Sequence, residues 1–449
     1  MKRILKAGLL LAVLIPVTAP RSPLAAQTSL TIYNDGRVLV RRAVAAQVAR
    51  GVSSLHLALG DLELSTLFSL DSSLSIVGAT YDGATDQGSV LRRAIGRRLI
   101  FRYGGPRDTV SALVLGVDPE RYGMPDGTVS FSMPGTPQFP QDLVVVDPVV
   151  DLSLKSTRAS TSLRLGYFTS GATWEASYQV ILGKSGSAQV IGAAIIRTDR
   201  LRVEDAEVQL LAGSVSKVAE GRVNGLAIAA AARESVAEEK VGEFHLYTLP
   251  GRLTLKPGIT TSVALFEPAT AAYERRYVVA GAIPYYGILQ QYGEEQSLPV
   301  ETSYTVKRPR RTEFGDRPLP GGTARLFQAD SAGRLQLVGE SSLDHTPAGS
   351  DVTIPAGAAF DLTAKRIQTT YSTRRDSLRT WATADYSVTL TNASSAAVTI
   401  DVLEQRAGEW QVLSSSVPAE KVSSTTTRFK VAVPAEGEAV LTYRVRVKW

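Results

Sequence analysis

Residues 163–183 read LRLGYFTSGATWEASYQVILG, and every local signal in them agrees on β-structure. Leu163 and Leu165 alternate with Arg164 and Gly166, a glycine-bearing turn follows at Thr169 to Ala172, and Trp174, Ala176, Tyr178 and Val180 then share one face. The spacing predicts a hairpin. Its aromatic face needs cover, so flanking strands are expected to layer around it, with Trp174 and Tyr178 as its largest buried structural groups.

The pattern continues on both sides. Upstream, LTIYNDGRVLVRRAV gives two alternating runs about the turn Asn34, Asp35, Gly36. Leu55, Leu57 and Leu59 then send His56 to the opposite face, where a solvated strand residue is expected. VLRRAIGRRLIFRY (residues 90–103) predicts a short amphipathic turn or helix, a glycine break and a strand, with Leu91, Ile95, Leu99 and Phe101 buried; a short buried strand is expected through Val144 to Val146. Downstream, Val208 and Leu210 share a face before the alanine-rich stretch NGLAIAAAARESVAEEKVGE, which lacks a core stripe and reads as a surface insertion over 219–242, partly helical or disordered. From residue 371 on, about six alternating runs suit an antiparallel sandwich of immunoglobulin-like size. The expected architecture is all-β and multi-domain: 27–150, 151–370 and 371–449, built as antiparallel sandwiches.

The first 26 residues carry Lys2, Arg3 and Lys6, an apolar run and small residues to Ala26, the pattern of a secretory signal peptide. No later run is long and apolar enough to read as a transmembrane helix. The chain has no cysteine, so disulfide mispairing is impossible in an oxidising compartment and stability rests on cores alone. Four of the six net positive charges lie in the leader (Lys2, Arg3, Lys6, Arg21), which leaves about +2 and gives no case for nucleic-acid binding.

What remains is local. Arg92, Arg93, Arg97, Arg98, Arg102 and Arg107 fall together without an acid among them; such a run is ordinarily a solvated face beside buried apolar residues, and read functionally it is a patch for anionic envelope polymers or lipid headgroups. Lys307, Arg308, Arg310 and Arg311 form a second basic cluster around Pro309, in a loop. The three histidines, His56, His245 and His345, share no ligand spacing, and HExxH, CxxC and GxSxG are absent, so no metal, cofactor or catalytic residue is assigned. Asp344, His345 and Thr346 before Pro347 read as a structural turn rather than as chemistry.

Several blocks carry a resemblance. YFTSGATWEASYQV, EFHLYTLPGRLTLKPGITTSVALF, PLPGGTARLFQ, LDHTP with GAAFDL, and the ending WQVLSSS with VPAEGEAVLTYRVRVKW together resemble the DUF4139 family, which includes mucoidy-inhibitor-type proteins. The likeness spans roughly residues 161–449. Such proteins begin with a β region similar to the opening here, and many then carry a long coiled coil; this chain has no heptad stretch, and Ser177 stands where an acid is expected. The resemblance implies no catalytic residues. The leader implies a periplasmic or extracellular protein, and stacked β domains with basic loops and no catalytic motif suit the binding of an envelope protein or an anionic polymer. An envelope hydrolase and an outer-membrane β-barrel, the latter suggested by the final run Leu441, Tyr443, Val445, Val447, Trp449, are the alternatives.

Overall fold

A computed structural model describes residues 28–105, 107–213, 237–241, 244–280, 291, 293–375, 380–406 and 408–448. The expected leader and most of the expected insertion lie outside them. Strand takes 66% of the residues and helix 5%, so the chain is all-β with several antiparallel sheets packed together. It divides into two compact units: residues 28–30, 39–169 and 204–207 form one, and 31–38, 170–203 and the chain from 208 on form the other. The boundaries expected after 150 and 370 both fall inside strands, Val149–Ser156 and Val352–Arg375. The first is paired along both edges, and residues 370–375 of the second continue its ladder with Thr380–Asn392, which leaves no room for a linker at either point.

In the first unit, Gly51–Ala58, Val149–Ser156 and Leu74–Asp82 make a three-stranded antiparallel sheet in that order. A five-stranded sheet runs Thr136–Gln138, Arg98–Arg102, Thr109–Val117, Glu120–Gly123, Val129–Ser130. Its inner face buries Leu99, Phe101, Ala112, Val114 and Tyr122 with Val90 and Leu91 of the helix Gln87–Arg93. Phe101 meets Tyr122 edge-on with ring centroids 5.3 Å apart. The helix begins at Asp86, whose side chain accepts the Ser89 amide at 3.1 Å, an N-cap. Because it ends at Arg93 and Gly96 turns the chain at φ +83°, Ile95 is half exposed rather than buried. Val144 to Val146 also departs from expectation: a 3-10 turn over Gln141–Leu143 buries Leu143 alone and leaves Val146 in solvent.

In the second unit, Ala172–Leu182 pairs antiparallel with Ser187–Thr198 and parallel with Gly322–Ala329. It is not the second arm of a hairpin with Ser160–Ser170, which pairs instead with Phe68–Ser69. Gly171 is the reason. At φ +98° its carbonyl accepts the amides of Asp199, Arg200 and Leu201 at 2.8, 3.3 and 3.4 Å, and a Cβ there would sit 3.1 Å from that of Arg200, so the turn closes on 199–201. Trp174 and Tyr178 are buried, each with its polar end satisfied: the indole N–H donates to Leu211 O at 3.3 Å and the hydroxyl to Pro320 O at 2.7 Å. Ala237–Val241, expected inside the insertion, is a strand paired with Phe244–Leu255.

The C-terminal sandwich has one layer of Gln296–Val306, Val352–Arg375, Thr380–Asn392, Gly437–Lys448 and Glu409–Ser415. Ala269–Ala280, Val398–Gln405 and Thr426–Val433 pair with one another and supply facing residues. Its core joins Val388, Leu390, Ile400, Phe429 and Leu441 to Val279, Val300 and Leu362, so it recruits strands from well before residue 371. Wholly buried side chains such as Phe429 and Leu441 contribute about 1.5–3 kcal/mol each. In Gly437–Lys448, Leu441, Tyr443, Val445 and Val447 face this core, while Val440 faces out with Thr442, Arg444, Arg446 and Lys448, so the outward face is mostly polar, unlike that of a lipid-facing barrel strand.

Candidate functional site

Strand alternation decides which arginines of the first unit can meet a ligand. With Leu99 and Phe101 turned into the core, Arg98, Ile100 and Arg102 point outward from the same strand. Register sets Arg98 beside Leu113, Ile100 between Ser111 and Gln138, and Arg102 between Thr109 and Thr136. Arg121, opposite the inward Tyr122, extends across Gly116 on the outward side. No acid stands on these outward positions, and among the described residues Arg98, Arg102 and Arg121 have no ion-pair partner. Ile100 and Leu115 add exposed apolar surface. Arg98 and Arg102 lie about 13 Å apart along the strand, at about 3.4 Å per residue.

The other arginines of the run are elsewhere. The helix packs on the inner face, so exposed Arg92 projects on the opposite side of the sheet. Arg93 is paired with Asp82, and Arg97 with Asp142 at 2.7 Å; Arg107 lies exposed in a loop. The Arg97 guanidinium holds the Asp142 carboxyl below its usual range. Both partners are substantially exposed, so this pair adds little to stability.

The second basic cluster is largely consumed by the fold. Arg308 is fully buried: its guanidinium donates to the carbonyls of Pro347 (3.3 Å), Ser350 (3.1 Å), Phe314 (3.3 Å) and Arg317, and lies 5.1 Å from the Phe314 ring centroid. Asp351 Oδ1 accepts the Arg308 amide at 2.9 Å, and that bond, more than Lys307, holds the Asp351 carboxyl low. Lys307 bridges Glu274 and Asp351 at 3.0 and 3.1 Å. Only Arg310 and Arg311 remain exposed. Arg308 is therefore a pin, not a ligand contact, and four charges adjacent in the chain do not make one patch.

Asp344, His345 and Thr346 act beside that pin. Thr346 and Leu319 exchange both backbone bonds at 2.9 Å, His345 Nδ1 accepts the Gly321 amide at 3.0 Å, and the Thr346 hydroxyl donates to Asp344 O at 2.8 Å. Tyr178 and Tyr247 hold the carbonyls of Pro320 and Pro318 in the same segment.

His56 has a partner that sequence reading missed. Its Nδ1 lies 2.7 Å from Asp151 Oδ1, on the neighbouring strand. Register places His56, Asp151 and Thr80 in one row and Ser54, Ser153 and Gly78 in the next, lining a shallow open trough of about 320 Å³. Imidazole and carboxylate are both more than 60% exposed. Rows stand about 6.8 Å apart along a strand, and neither serine hydroxyl bonds the imidazole, so the pair has no activated nucleophile beside it. Among the described residues, no group of three or more His, Asp or Glu is placed to hold a metal ion.

The sandwich interior holds a polar cluster, also missed. Glu404 accepts Arg366 Nη2 at 3.1 and 2.9 Å, Arg406 at 2.6 Å and the Tyr443 hydroxyl at 2.6 Å. Arg366 also stacks 4.0 Å from the Tyr386 centroid, and Gln368 and Arg406 donate to the Tyr386 hydroxyl. All six side chains are buried. A carboxylate so clamped is a structural anchor rather than a base. Burial first, then the Glu404 charge, pushes Tyr443 well above the ordinary tyrosine value of 10; burial and Tyr247 do the same to Tyr178. A raised folded-state pKa contributes stability that is complete below the unfolded value and is lost as pH rises towards the folded one. Each of these tyrosines should therefore cost up to about 1.4 kcal/mol per pH unit above about pH 10. In an alkaline titration followed by circular dichroism, loss of structure should coincide with the late part of the tyrosinate absorbance rise. Tyr178→Phe should make the stability curve shallower; an unchanged slope would show that Tyr178 titrates freely.

No family model matches the chain, and no curated protein matches it. No helix among the described residues is long and apolar enough to cross a membrane.

Proposed function

We propose that this chain is an exported, non-catalytic binding module of the cell envelope, which takes an anionic partner on the outward face of the five-stranded sheet in its first unit. The observation that carries the reading is the trio Arg98, Arg102 and Arg121, left without carboxylates on a face that also exposes Ile100 and Leu115. Guanidinium forks suit phosphate and carboxylate groups repeated along a polymer, and arginines spaced along one face match such a repeat. The leader pattern of residues 1–26 and the blocks that resemble the DUF4139 family support export and an envelope setting; those blocks include the strands Ala172–Leu182, Phe244–Leu255, Gly322–Ala329 and Gly437–Lys448.

The test is retardation of the full chain in gels cast with long-chain inorganic polyphosphate. Wild type should be retarded, and Arg98→Ser with Arg102→Ser should migrate as in a gel without it. Equal retardation of the two would remove the face from the account. A hydrolase reading would rest on the His56–Asp151 pair. Turnover of an envelope polymer that His56→Ala abolishes, with folding intact, would put it in place of the binding reading.

A further inference from the structure

The second unit carries an aromatic platform ringed by cations on the outward face of the C-terminal sandwich. Trp381 stands in a cross-strand row between Arg374 and Lys448, and Arg446 occupies the next row along. The Arg446 guanidinium lies 5.7 Å and the Lys448 ammonium 5.2 Å from the indole centroid. Directly opposed residues bring their Cβ atoms within about 5.5 Å, so Arg374 stands beside Trp381 on the same face.

The charges here are not all balanced. Lys448 is held by Glu409 at 2.7 and 2.8 Å, and Arg444 by Asp385 at 2.5 and 2.9 Å. Arg374 and Arg446 have no carboxylate partner among the described residues; Arg375, next to Arg374 in its strand, belongs to the other face. Cation–π contact alone, at about 0.5–1 kcal/mol for an exposed pair, would account for one cation beside the indole. It does not account for two unpaired guanidiniums, Arg374 and Arg446, on the strands either side of the one that bears Trp381, about 10 Å apart at about 4.8 Å between strands and so within reach of mutual repulsion. An anion seated among them removes that repulsion.

We propose that Trp381, Arg374 and Arg446 form a binding site for an acidic saccharide: the indole packs against a sugar ring while the guanidinium forks take its carboxylates. The aromatic centre is what separates this site from a purely electrostatic one. The site does not rest on the arginine face of the first unit, and a test can keep the two apart.

The full chain carrying Arg98→Ser and Arg102→Ser is titrated with oligogalacturonate, following tryptophan fluorescence and heat, with neutral dextran as control. Oligogalacturonate should bind and dextran should not. In the same background, Trp381→Leu and, separately, Arg374→Gln with Arg446→Gln should each weaken binding at least tenfold. The arginine pair keeps the indole and lies on the surface, so it remains informative if Trp381→Leu folds poorly. Absence of binding, affinity unchanged in the arginine variant, or displacement by polyphosphate at equal charge concentration would overturn the assignment.

Discussion

Replacing Glu404 by Leu should destabilise the second unit by about 3–5 kcal/mol, the cost of breaking a buried ion pair by removing one partner. The carboxylate is the common acceptor for Arg366, Arg406 and Tyr443, all buried. Without it two guanidiniums face each other in a protein interior with only tyrosine oxygens and ring faces to meet them. Even with it, Arg406 Nε is buried without a partner among the described residues. If that is the cause, changing Arg366 and Arg406 to Met in the same chain should recover most of the loss, because apolar replacements of a whole buried ionic group are often neutral or better. Urea unfolding followed by circular dichroism reads both. A loss below about 1 kcal/mol for Glu404→Leu would mean that water reaches the cluster.

Arg308→Met should be nearly as severe, at about 3 kcal/mol or more. One guanidinium satisfies the carbonyls of Phe314, Arg317, Pro347 and Ser350, and each buried acceptor left without a donor costs about 1–3 kcal/mol before relaxation. The same segments carry the bridge between Leu319 and Thr346 and the Tyr178 hydroxyl bond to Pro320, so the loss should spread to the strand bearing Trp174. Retardation by polyphosphate should be unchanged under conditions where the variant stays folded. A stable variant that lost retardation would return Arg308 to a ligand role.

Alternation made the strands legible from sequence, since period two reports which face a residue occupies. It does not report which strand lies alongside. The glycine at 171 looked like a hairpin turn because its neighbours alternate on both sides; the three amides of 199–201 that claim its carbonyl are distant in sequence. For the same reason His56 read as a lone solvated residue while its partner Asp151 lay 95 residues away. The interior cluster had a visible signal that composition masks. Leu362 and Ala364 continue inward as Arg366 and Gln368, and Ile400 and Val402 as Glu404 and Arg406, so polar residues extend two apolar columns. Arg308 gave no such signal. A basic tetrad around a proline reads as a solvated loop, and only the four carbonyls gathered about its guanidinium show otherwise. In the arginine-rich run, alternation with Leu99 and Phe101 separates Arg98 and Arg102 from the rest, whereas Arg121 joins them only through strand pairing.

The central claim is that the outward arginines of the five-stranded sheet hold an anionic partner by direct charge contact. Its most direct test is the affinity of the full chain for polyphosphate measured across a range of salt concentrations. Each phosphate contact contributes about 0.7 to the slope of log affinity against log salt on a single-stranded polyanion. Arg98→Ser with Arg102→Ser should therefore make the slope shallower by about 1.4 and weaken binding at low salt by tenfold or more. A slope and affinity equal to those of wild type would contradict the claim.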